Sequence, residues 1–322
     1  MRKVRWGVLG TADIAWGQTI PGMLKAEHCK LYAIAGRKTE KTEKFRDAFG
    51  FQRAYTGYEA LLEDPEVEAV YIPLPNDLHC EWTVKALKAK KHVLCEKPLA
   101  VNEKQAEEMF RTAEENGVNL MEAFAYLHSP FVRAVREEIE GGTVGEIRYL
   151  ESAFITPRRG DTDIRLRKET YGGAMYDLGC YCVSMALWMM GREPDEIRAS
   201  AQFSDKKVDL FTSALLLYED GAVANLDCGM LLPGGRLDRF RIHGTRGTIV
   251  SPVEFNQCGK IPYTVIRDGT AVTKEVEAPN NYALEAEQMN LCVLRGEKPH
   301  VPKEFSLRVA RVTDRILREI GY

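Results

Sequence analysis

The first third of the sequence alternates short apolar runs with stretches long enough for a helix, and this alternation limits the fold more than any other feature. The runs are apolar almost throughout and occupy residues 4–9, 31–35, 69–73, 93–95 and 119–124. Strands of this kind are buried on both faces, as in a parallel sheet that helices cover on each side. Helix-length segments lie between them at 14–26, 39–49, 77–89 and 103–116. The pattern predicts a doubly wound α/β domain over residues 1–125.

The pattern changes in the second part of the chain. A helix is predicted at 129–140, and the later strands are longer and alternate polar with apolar residues, at 147–155, 197–203 and 209–230. Turn sequences such as Glu219-Asp220-Gly221 and Asp268-Gly269 are typical of β-hairpins. Two more helices are predicted at 282–294 and 304–320. We therefore expect residues 126–322 to form an α+β domain with a large, mostly antiparallel sheet.

Composition argues against several kinds of partner. The chain has 322 residues and a formal net charge of −3, so no excess of basic charge attracts nucleic acid or a membrane surface. No apolar run approaches the ~20 residues that span a bilayer, and no signal peptide is predicted. The eight cysteines show no paired C-x-x-C spacing, so we expect neither a metal site nor a disulfide framework. These features are typical of a cytoplasmic protein with reduced thiols.

The turn after the first apolar run has the features of a dinucleotide-binding site. In Gly10-Thr11-Ala12-Asp13-Ile14, the glycine permits a tight bend and the small Ala12 lets the backbone approach a pyrophosphate. The phosphates would lie at the N-terminus of the next helix, where free N–H groups and the helix dipole favour an anion. Ala12 replaces the usual second glycine, so a plain packing turn is the alternative. The strand–turn–helix context favours a Rossmann dinucleotide site.

The end of the second run indicates which dinucleotide is preferred. An NAD site places a carboxylate there, which accepts a hydrogen bond from the ribose 2′-hydroxyl. This sequence instead reads Ala35-Gly36-Arg37-Lys38 and has no carboxylate before Glu40. The planar guanidinium of Arg37 suits a 2′-phosphate. We therefore favour NADP(H), with NAD(H) as the alternative in which Arg37 and Lys38 are ordinary solvated residues.

Two further segments are predicted at the same edge of the sheet. The third run leads into a segment with two prolines, which we assign to cofactor binding through Pro73, Leu74, Asn76 and His79. Helix capping and packing are equally expected of Asn76 and His79. The fourth run ends on Glu96 and Lys97 and is stopped by a proline. Because ligands of open α/β sheets bind at the carboxyl ends of the strands, both charged residues are candidates for the site.

Four motifs in order resemble those of the glucose–fructose oxidoreductase and inositol dehydrogenase family, known as Gfo/Idh/MocA. They are Gly10-Thr11-Ala12-x-Ile14-Ala15, Pro75-Asn76-x-x-His79, Glu96-Lys97-Pro98, and the stretch 172–181, which reads Gly-Gly-Ala-Met-Tyr-Asp-Leu-Gly-Cys-Tyr. The resemblance covers essentially the whole chain. Within the family, the chain is most similar to the branch of the dimeric dihydrodiol dehydrogenases and sugar-ketone reductases.

The resemblance implies three catalytic residues. Lys97 lies next to the nicotinamide and the substrate in such proteins, often with a cis bond to the following proline, and Asp177 and Tyr181 lie on a helix of the second domain. Inositol dehydrogenases carry histidine where this chain has Tyr181, so inositol is not the expected substrate. Hydride transfer to a carbonyl creates an alkoxide, which needs a proton donor and a nearby positive charge. Tyr181 would donate the proton, Lys97 would supply the charge, and Asp177 would orient Lys97 or a substrate hydroxyl.

The same resemblance defines the expected function. We expect an NADP(H)-dependent oxidoreductase that acts on a carbonyl or secondary alcohol of a sugar, diol or similar polyhydroxylated compound, as a homodimer or higher homo-oligomer. Arg165, in the loop before the second signature, is assigned to binding of the cofactor or of a polar substrate, with an exposed surface arginine as the alternative. A non-catalytic dinucleotide sensor of the same fold is the other hypothesis. Retention of both Lys97 and Tyr181 favours the enzyme.

Overall fold

The structure, a computed structural model, describes residues 2–157, 160, 162–232, 235–251 and 255–322. These residues form two units. The first contains the chain up to His128 together with Pro279–Leu307, and the second contains Ser129–Ala278 and Arg308–Tyr322. Each unit has its own sheet and its own core.

The first unit is built on a six-stranded parallel sheet. Its strands are β1 (Val4–Leu9), β2 (Cys29–Gly36), β3 (Arg53–Thr56), β4 (Ala69–Ile72), β5 (His92–Glu96) and β6 (Leu120–Ala123), in the order β3-β2-β1-β4-β5-β6. Its helices are α1 (Ile20–Met23), α2 (Thr39–Phe49), α3 (Glu59–Glu63), α4 (Asn76–Lys88) and α5 (Glu103–Asn116). This order is that of a doubly wound dinucleotide-binding sheet, so the predicted fold class of the first part is confirmed.

One strand of this sheet was missed by the sequence pattern, which predicts five strands. Strand β3 is only four residues long and its residues are half-buried or exposed, because it lies at the edge of the sheet beside β2. An apolar run is therefore absent, and short edge strands of this kind carry little periodic signal. The central strands behave as predicted, since β4 is buried along its whole length.

A helix near the C-terminus returns to the first unit, which differs from the predicted division of the chain at residue 125. Helix α8 (Asn281–Arg295) is held there by hydrogen bonds, since the Trp6 indole N–H donates to Asn290 Oδ1 at 2.8 Å. The Asn290 amide in turn donates to Glu287 Oε2 at 3.1 Å. At Gly22 the fit is so close that an added Cβ would lie 2.5 Å from Tyr282 Cβ. These are long-range contacts, which the local pattern of 282–294 does not reveal.

The second unit is built on an eight-stranded sheet in the order β14-β13-β12-β11-β7-β10-β9-β8. Its strands are β7 (Ile147–Pro157), β8 (Glu196–Phe203), β9 (Asp209–Leu217), β10 (Val223–Leu232), β11 (Leu237–Gly244), β12 (Thr248–Ser251), β13 (Gly259–Arg267) and β14 (Thr270–Ala278). All neighbours are antiparallel except β7 and β10. The prediction of a large, mostly antiparallel sheet is confirmed, with the predicted strand 209–230 divided into β9 and β10 by the expected turn.

Helices cover one face of this second sheet. Helix α6 (Pro130–Glu140) packs on β14, and α7 (Cys180–Met190) packs on β7 and β10. Side chains of one face are fully buried, among them Leu150, Leu216, Ala224, Ile242 and Ile249. Positions that alternate with them are more exposed; Leu215, for example, is 39% exposed. The alternation arises because successive side chains of a strand point to opposite faces. Helix α9 (Lys303–Glu319) contains the boundary between the two units at residues 307 and 308.

Candidate active site

The turn after β1 needs a glycine. Gly10 has φ +125°, and its N–H donates to Ala35 O at 2.8 Å. A Cβ at this position would lie 3.0 Å from Leu74 Cδ2, so the absence of a side chain lets the first turn approach the segment after β4. The predicted cofactor residues Gly10, Pro73 and Leu74 are thus brought together at the carboxyl edge of the sheet. In the strand order of this unit, that place is the switch point between β1 and β4.

The helical segment after this turn starts without a side-chain cap. The hydrogen bond from Trp16 N to Ala12 O, at 3.1 Å, begins this segment, which continues as a π turn over Ala15–Thr19. Neither Ala12 nor Ile14 has a side-chain oxygen that could accept a hydrogen bond from the start of the segment. The Asp13 side chain is fully exposed. Helix N-termini that lack an internal acceptor favour an external anion, so this segment fits a pyrophosphate.

The end of β2 places two exposed cations close to the same edge. Gly36 is close to the first turn, since an added Cβ would lie 3.2 Å from Thr11 Cγ2 and 2.3 Å from Thr42 Oγ1. Arg37 and Lys38 follow it and are exposed. Burial raises the pKa of the Tyr58 hydroxyl, and the neighbouring Arg37 guanidinium opposes that rise. The guanidinium is therefore at the surface beside Tyr58, where a 2′-phosphate fits its charge.

His79 has both ring nitrogens within hydrogen-bond distance of backbone carbonyls. Nε2 is 2.8 Å from Leu74 O and Nδ1 is 2.8 Å from Pro98 O, and the side chain is 1% exposed. Burial lowers the pKa of His79, and the two carbonyls oppose that effect. The imidazole thus ties the segment after β4 to the segment after β5. Asn76, the first residue of α4, lies beside this segment.

The end of β5 carries Glu96 and Lys97. Glu96 Oε1 accepts the Tyr71 hydroxyl at 2.5 Å, and the same hydroxyl lies 2.9 Å from Thr19 Oγ1. Burial, together with the Glu96 charge, raises the pKa of Tyr71 well above its ordinary value. Tyr71 is therefore a hydrogen-bond donor to Glu96 at neutral pH. The bond between Lys97 and Pro98 is cis, as the family resemblance implies.

The second signature forms the start of a helix in the second unit. Gly173 has φ +111°, and a π turn over Met175–Gly179 follows it and leads into α7. Asp177 lies within the π turn, and Tyr181 is the second residue of α7. The spacing of four predicted a regular α-helical turn between them, but the structure has a hydrogen bond from Cys180 N to Met175 O, which is the wider i to i+5 pattern.

Asp177 forms an ion pair with Arg165. The Arg165 Nε lies 2.9 Å from Asp177 Oδ2, and its Nη1 lies 3.3 Å from Asp163 Oδ1. The charge of Asp177, and to a smaller extent that of Asp163, raises the pKa of the Arg165 guanidinium. The guanidinium is therefore always protonated. Arg165 therefore belongs with Asp177 in the second unit, whereas the other predicted cofactor residues lie in the first. Residues 158, 159 and 161 of the same loop lie outside the described residues.

Tyr181 is in an aromatic environment. Its ring centroid is 5.3 Å from that of Phe154 and 5.2 Å from that of Phe255, and the residue is 9% exposed. Aromatic neighbours hold the phenol ring in one orientation.

Sequence reasoning missed a buried acid that holds this helix. Asp209 Oδ2 accepts the Met175 N–H at 2.7 Å and the Thr212 hydroxyl at 2.7 Å, and the residue is fully buried. The Tyr322 hydroxyl donates to Gly172 O at 2.7 Å and so fixes the residue before Gly173. Neither residue belongs to a motif, because both act from segments distant in sequence.

One group of potential metal ligands exists among the described residues, namely Glu27, His28 and Glu287. Glu27 is exposed, and His28 Nδ1 is bonded to Glu287 Oε1. Glu287 Oε2 also accepts the His28 backbone N–H at 3.0 Å. These bonds hold α8 in the first unit, and we assign the group to that structural role.

The doubly wound sheet and its glycine turn define a dinucleotide-binding class of protein. A family model for oxidoreductases with an NAD-binding Rossmann fold matches residues 4–124, and one for the GFO/IDH/MocA C-terminal domain matches residues 132–250. The chain belongs to the GFO/IDH/MocA family of oxidoreductases. Among the described residues, no helix is long and apolar enough to cross a membrane.

Relatives match the chain over nearly its full length. A dTDP-3,4-didehydro-2,6-dideoxy-α-D-glucose 3-reductase from Actinomadura kijaniata is 34% identical to this chain. The match covers 97% of this chain and 94% of the relative. A D-xylose 1-dehydrogenase (NADP⁺) from Haloferax volcanii is 34% identical, with coverage of 97% of this chain and 95% of the relative. The crystal structure of a 3-ketoreductase from Actinomadura kijaniata with NADP and TDP-benzene has a TM-score of 0.93 at 34% identity, over 99% of this chain and 98% of that one.

Proposed function

We propose that the protein is an NADP(H)-dependent oxidoreductase that transfers a hydride between the nicotinamide and a carbonyl or secondary alcohol of a sugar, diol or similar polyhydroxylated compound. The observation that carries the proposal is the pair of chemistry-bearing sites, Lys97 at the carboxyl end of β5 and Tyr181 at the start of α7. They occur in a chain that matches sugar reductases and dehydrogenases end to end.

Within this proposal the cofactor lies at the first turn. The uncapped helical segment after Gly10 would hold the pyrophosphate, with Thr11 to Ile14 supplying backbone N–H groups. Arg37 and Lys38 would bind the 2′-phosphate, which is the difference between NADP and NAD. When bound, the nicotinamide supplies or accepts the hydride. The relatives named for NADP support this preference.

The protein's own residues would provide the charge and the proton. As the hydride adds to the carbonyl carbon, negative charge develops on the carbonyl oxygen; the Lys97 ammonium stabilises it and the Tyr181 hydroxyl donates the proton. Arg165, whose Nε lies 2.9 Å from Asp177 Oδ2, would hold the Asp177 side chain in place to orient a substrate hydroxyl. Variants of one lysine and one tyrosine of the Actinomadura kijaniata enzyme were crystallised, and those two positions are as far apart in its chain as Lys97 and Tyr181 are here.

Replacement of Tyr181 by phenylalanine tests the proposal. We expect kcat to fall by about 100-fold or more because the proton donor is lost, while the Kd for NADPH stays within about twofold. The measurement is NADPH absorbance with a panel that contains D-xylose, a dihydrodiol and a nucleotide-linked keto-sugar. Tyr149→Phe, on β7, is the matched control and should be fully active. An equal loss of turnover and of cofactor affinity would contradict the assignment of Tyr181.

The same panel separates an enzyme from a sensor. Tight NADPH binding by the unaltered protein without turnover of any substrate would favour the non-catalytic alternative.

A second variant tests the cofactor preference. Arg37→Ala should weaken NADPH binding about tenfold or more and leave NADH binding nearly unchanged, because only NADPH carries the 2′-phosphate. Arg46→Ala, which removes a half-buried arginine of α2, is the control.

We also propose a homo-oligomer built through the second unit. Support comes from the sheet face opposite the buried one, which carries exposed apolar side chains at Leu215 (39% exposed) and Ile266 (37% exposed). Light scattering that gives the mass of a single 36.4 kDa chain at micromolar concentration would refute this part of the proposal.

A further inference from the structure

The backbone on the carboxyl side of Lys97 is held by side chains from two other elements. The Leu99 N–H donates to Glu122 Oε1 at 2.8 Å, and Pro98 O lies 2.8 Å from Nδ1 of His79. On the other side of Lys97, Glu96 accepts from Tyr71. Lys97 thus lies in the middle of a tripeptide whose neighbours are fixed, which limits where its side chain can be.

Glu122 is the least expected member of this arrangement, because a carboxylate is rarely buried unless it is paired. It lies on β6 beside Cys95 of β5 in the parallel register and is 1% exposed. Its Oε1 accepts the Leu99 N–H, whereas its Oε2 is buried and lies outside strict hydrogen-bond geometry, with the Ser306 hydroxyl as its neighbouring polar group. No step in the proposed function uses this carboxyl group.

The charges around Glu122 come from β5 and the residue after it. Burial raises the pKa of Glu122 to about 7, while the Ser306 hydroxyl, the Leu99 N–H and the Lys97 ammonium, in that order, oppose this rise. The Glu96 carboxylate raises the same pKa, and the thiol of Cys95, whose own pKa is raised by burial, is neutral. Lys97 is the positive side chain in this set, and its charge favours the ionised form of Glu122 together with the hydrogen bonds from Ser306 and Leu99.

We propose that Glu122 is a positioning residue for Lys97, whose carboxylate fixes the Leu99 N–H and stabilises the Lys97 side chain in its protonated form. This inference rests on the catalytic role proposed for Lys97. A protonated lysine is the form that stabilises a developing alkoxide, and a carboxylate nearby favours that form. By linkage, the two groups must affect each other's proton affinity equally.

The first experiment follows the carboxyl group. In the full-length protein labelled with ¹³C at the glutamate carboxyl carbons, the Glu122 resonance is identified by its absence in Glu122→Gln, and its titration midpoint is measured with and without Lys97→Met. We expect about tenfold tighter proton binding by Glu122 when the ammonium is removed. No substrate is needed for this measurement.

The second experiment follows the ammonium. Lysines are ¹³C-dimethylated, and the Lys97 resonance is identified by its absence in Lys97→Met. In Glu122→Gln, which keeps an acceptor for the Leu99 N–H but has no charge, Lys97 should bind its proton about tenfold more weakly. Asp64→Asn is the matched control, since Asp64 is a buried carboxylate of the same unit that bonds Arg53 and Tyr55 instead. It should move neither midpoint.

The outcomes separate this inference from the proposed function. The positioning role would be overturned if the titration midpoint of Glu122 were unchanged in Lys97→Met and that of Lys97 were unchanged in Glu122→Gln. This holds even if Lys97→Met abolished turnover. Full turnover by Lys97→Met would overturn the catalytic role of Lys97 whatever the titrations show. Reciprocal changes of similar size, together with lost turnover in Lys97→Met, are the result expected if both are correct.

Discussion

The two signature turns, one in each unit, lead into helical segments that begin alike and are completed differently. Gly10 has φ +125° and Gly173 has φ +111°. The chain enters a π turn after each of them, at Ala15–Thr19 after Gly10 and at Met175–Gly179 after Gly173. The second start has a buried acceptor, Asp209, for the Met175 N–H. At the first start, Ala12 and Ile14 have no side-chain oxygen that could accept such a bond.

This difference indicates what each turn is for. A helix N-terminus attracts negative charge whether that charge comes from the protein or from a ligand. In the second unit the carboxylate is internal, so the turn is a rigid mount for Asp177 and Tyr181. In the first unit, Ala12 and Ile14 offer no such acceptor, which agrees with the pyrophosphate site proposed there. The following changes test that contrast, from the largest expected effect to the smallest.

Alanine at the two turn glycines should affect different properties. A Cβ at Gly173 would lie 2.0 Å from Asp209 Oδ1, so Gly173→Ala displaces the internal acceptor and should lower the free energy of unfolding by about 4 kcal/mol. A Cβ at Gly10 meets the end of the Leu74 side chain, so Gly10→Ala should lose only about 2 kcal/mol but weaken NADPH binding tenfold or more. Thermal unfolding and NADPH fluorescence measure the two effects. Similar losses of stability in both variants would break the contrast.

Removal of the internal acceptor should destabilise the second unit. Asp209→Ala leaves the Met175 N–H and the Thr212 hydroxyl buried without an acceptor, and we expect a loss of about 3 kcal/mol in urea unfolding. Asp209→Asn keeps an acceptor oxygen and should lose markedly less. An Asn variant as unstable as the Ala variant would show that the negative charge, and not the hydrogen bonds, is what matters.

The same residue predicts a pH dependence. Burial raises the pKa of Asp209 above its ordinary value of 3.8, so the folded state keeps the proton at pH values where the unfolded chain has lost it. The contribution of this group to stability is therefore full below pH 3.8 and falls as the pH rises through the folded-state pKa. Compared with Asp209→Asn, the unaltered protein should lose unfolding free energy on going upward from pH 4. A difference that stays constant between pH 4 and pH 8 would contradict this sign.

The Tyr322 hydroxyl should have a smaller effect. Tyr322→Phe removes the donor to Gly172 O but keeps the ring beside Lys168 Nζ, which lies 3.2 Å from its centroid. We expect the free energy of unfolding to fall by about 1 kcal/mol, because one hydrogen bond is lost. NADPH binding should be unchanged, because Gly172 belongs to the turn of the second unit and the proposed cofactor site belongs to the first. A change in NADPH affinity larger than about twofold would count against that separation.

The smallest effect is expected at Asp13, the exposed acid at the start of the first helical segment. Asp13→Ala should change stability by less than about 0.5 kcal/mol, because its side chain is fully solvated and caps nothing. Removal of its negative charge beside a bound pyrophosphate should leave NADPH binding unchanged or slightly tighter. A large loss of stability would mean that the first turn does have an internal cap.

Local pattern determined the elements whose signal is local. The strands β1, β2, β4, β5 and β6 are visible in the sequence because strands buried on both faces are apolar throughout. The turn at Gly10, the charged end of β5 and the hairpins of the second sheet are visible as residue types at fixed spacings. The family motifs added the cis bond after Lys97 and the pairing of two signatures. The edge strand β3 was missed because edge positions need not be apolar.

Only the tertiary structure decided which distant residues support the motifs. Four contacts join positions separated by up to 284 residues. They are those of Glu122 with Leu99, Asp209 with Met175, Arg165 with Asp177 and α8 with Trp6. Such contacts leave no periodic trace, since a single buried acid or arginine in a sequence looks the same whether it is paired or solvated. The sequence by itself determined the two turns and the candidate site residues, because these are residue types at fixed spacings. Only the packing decided that Asp209 accepts the Met175 N–H at the second turn, because that contact joins segments distant in sequence.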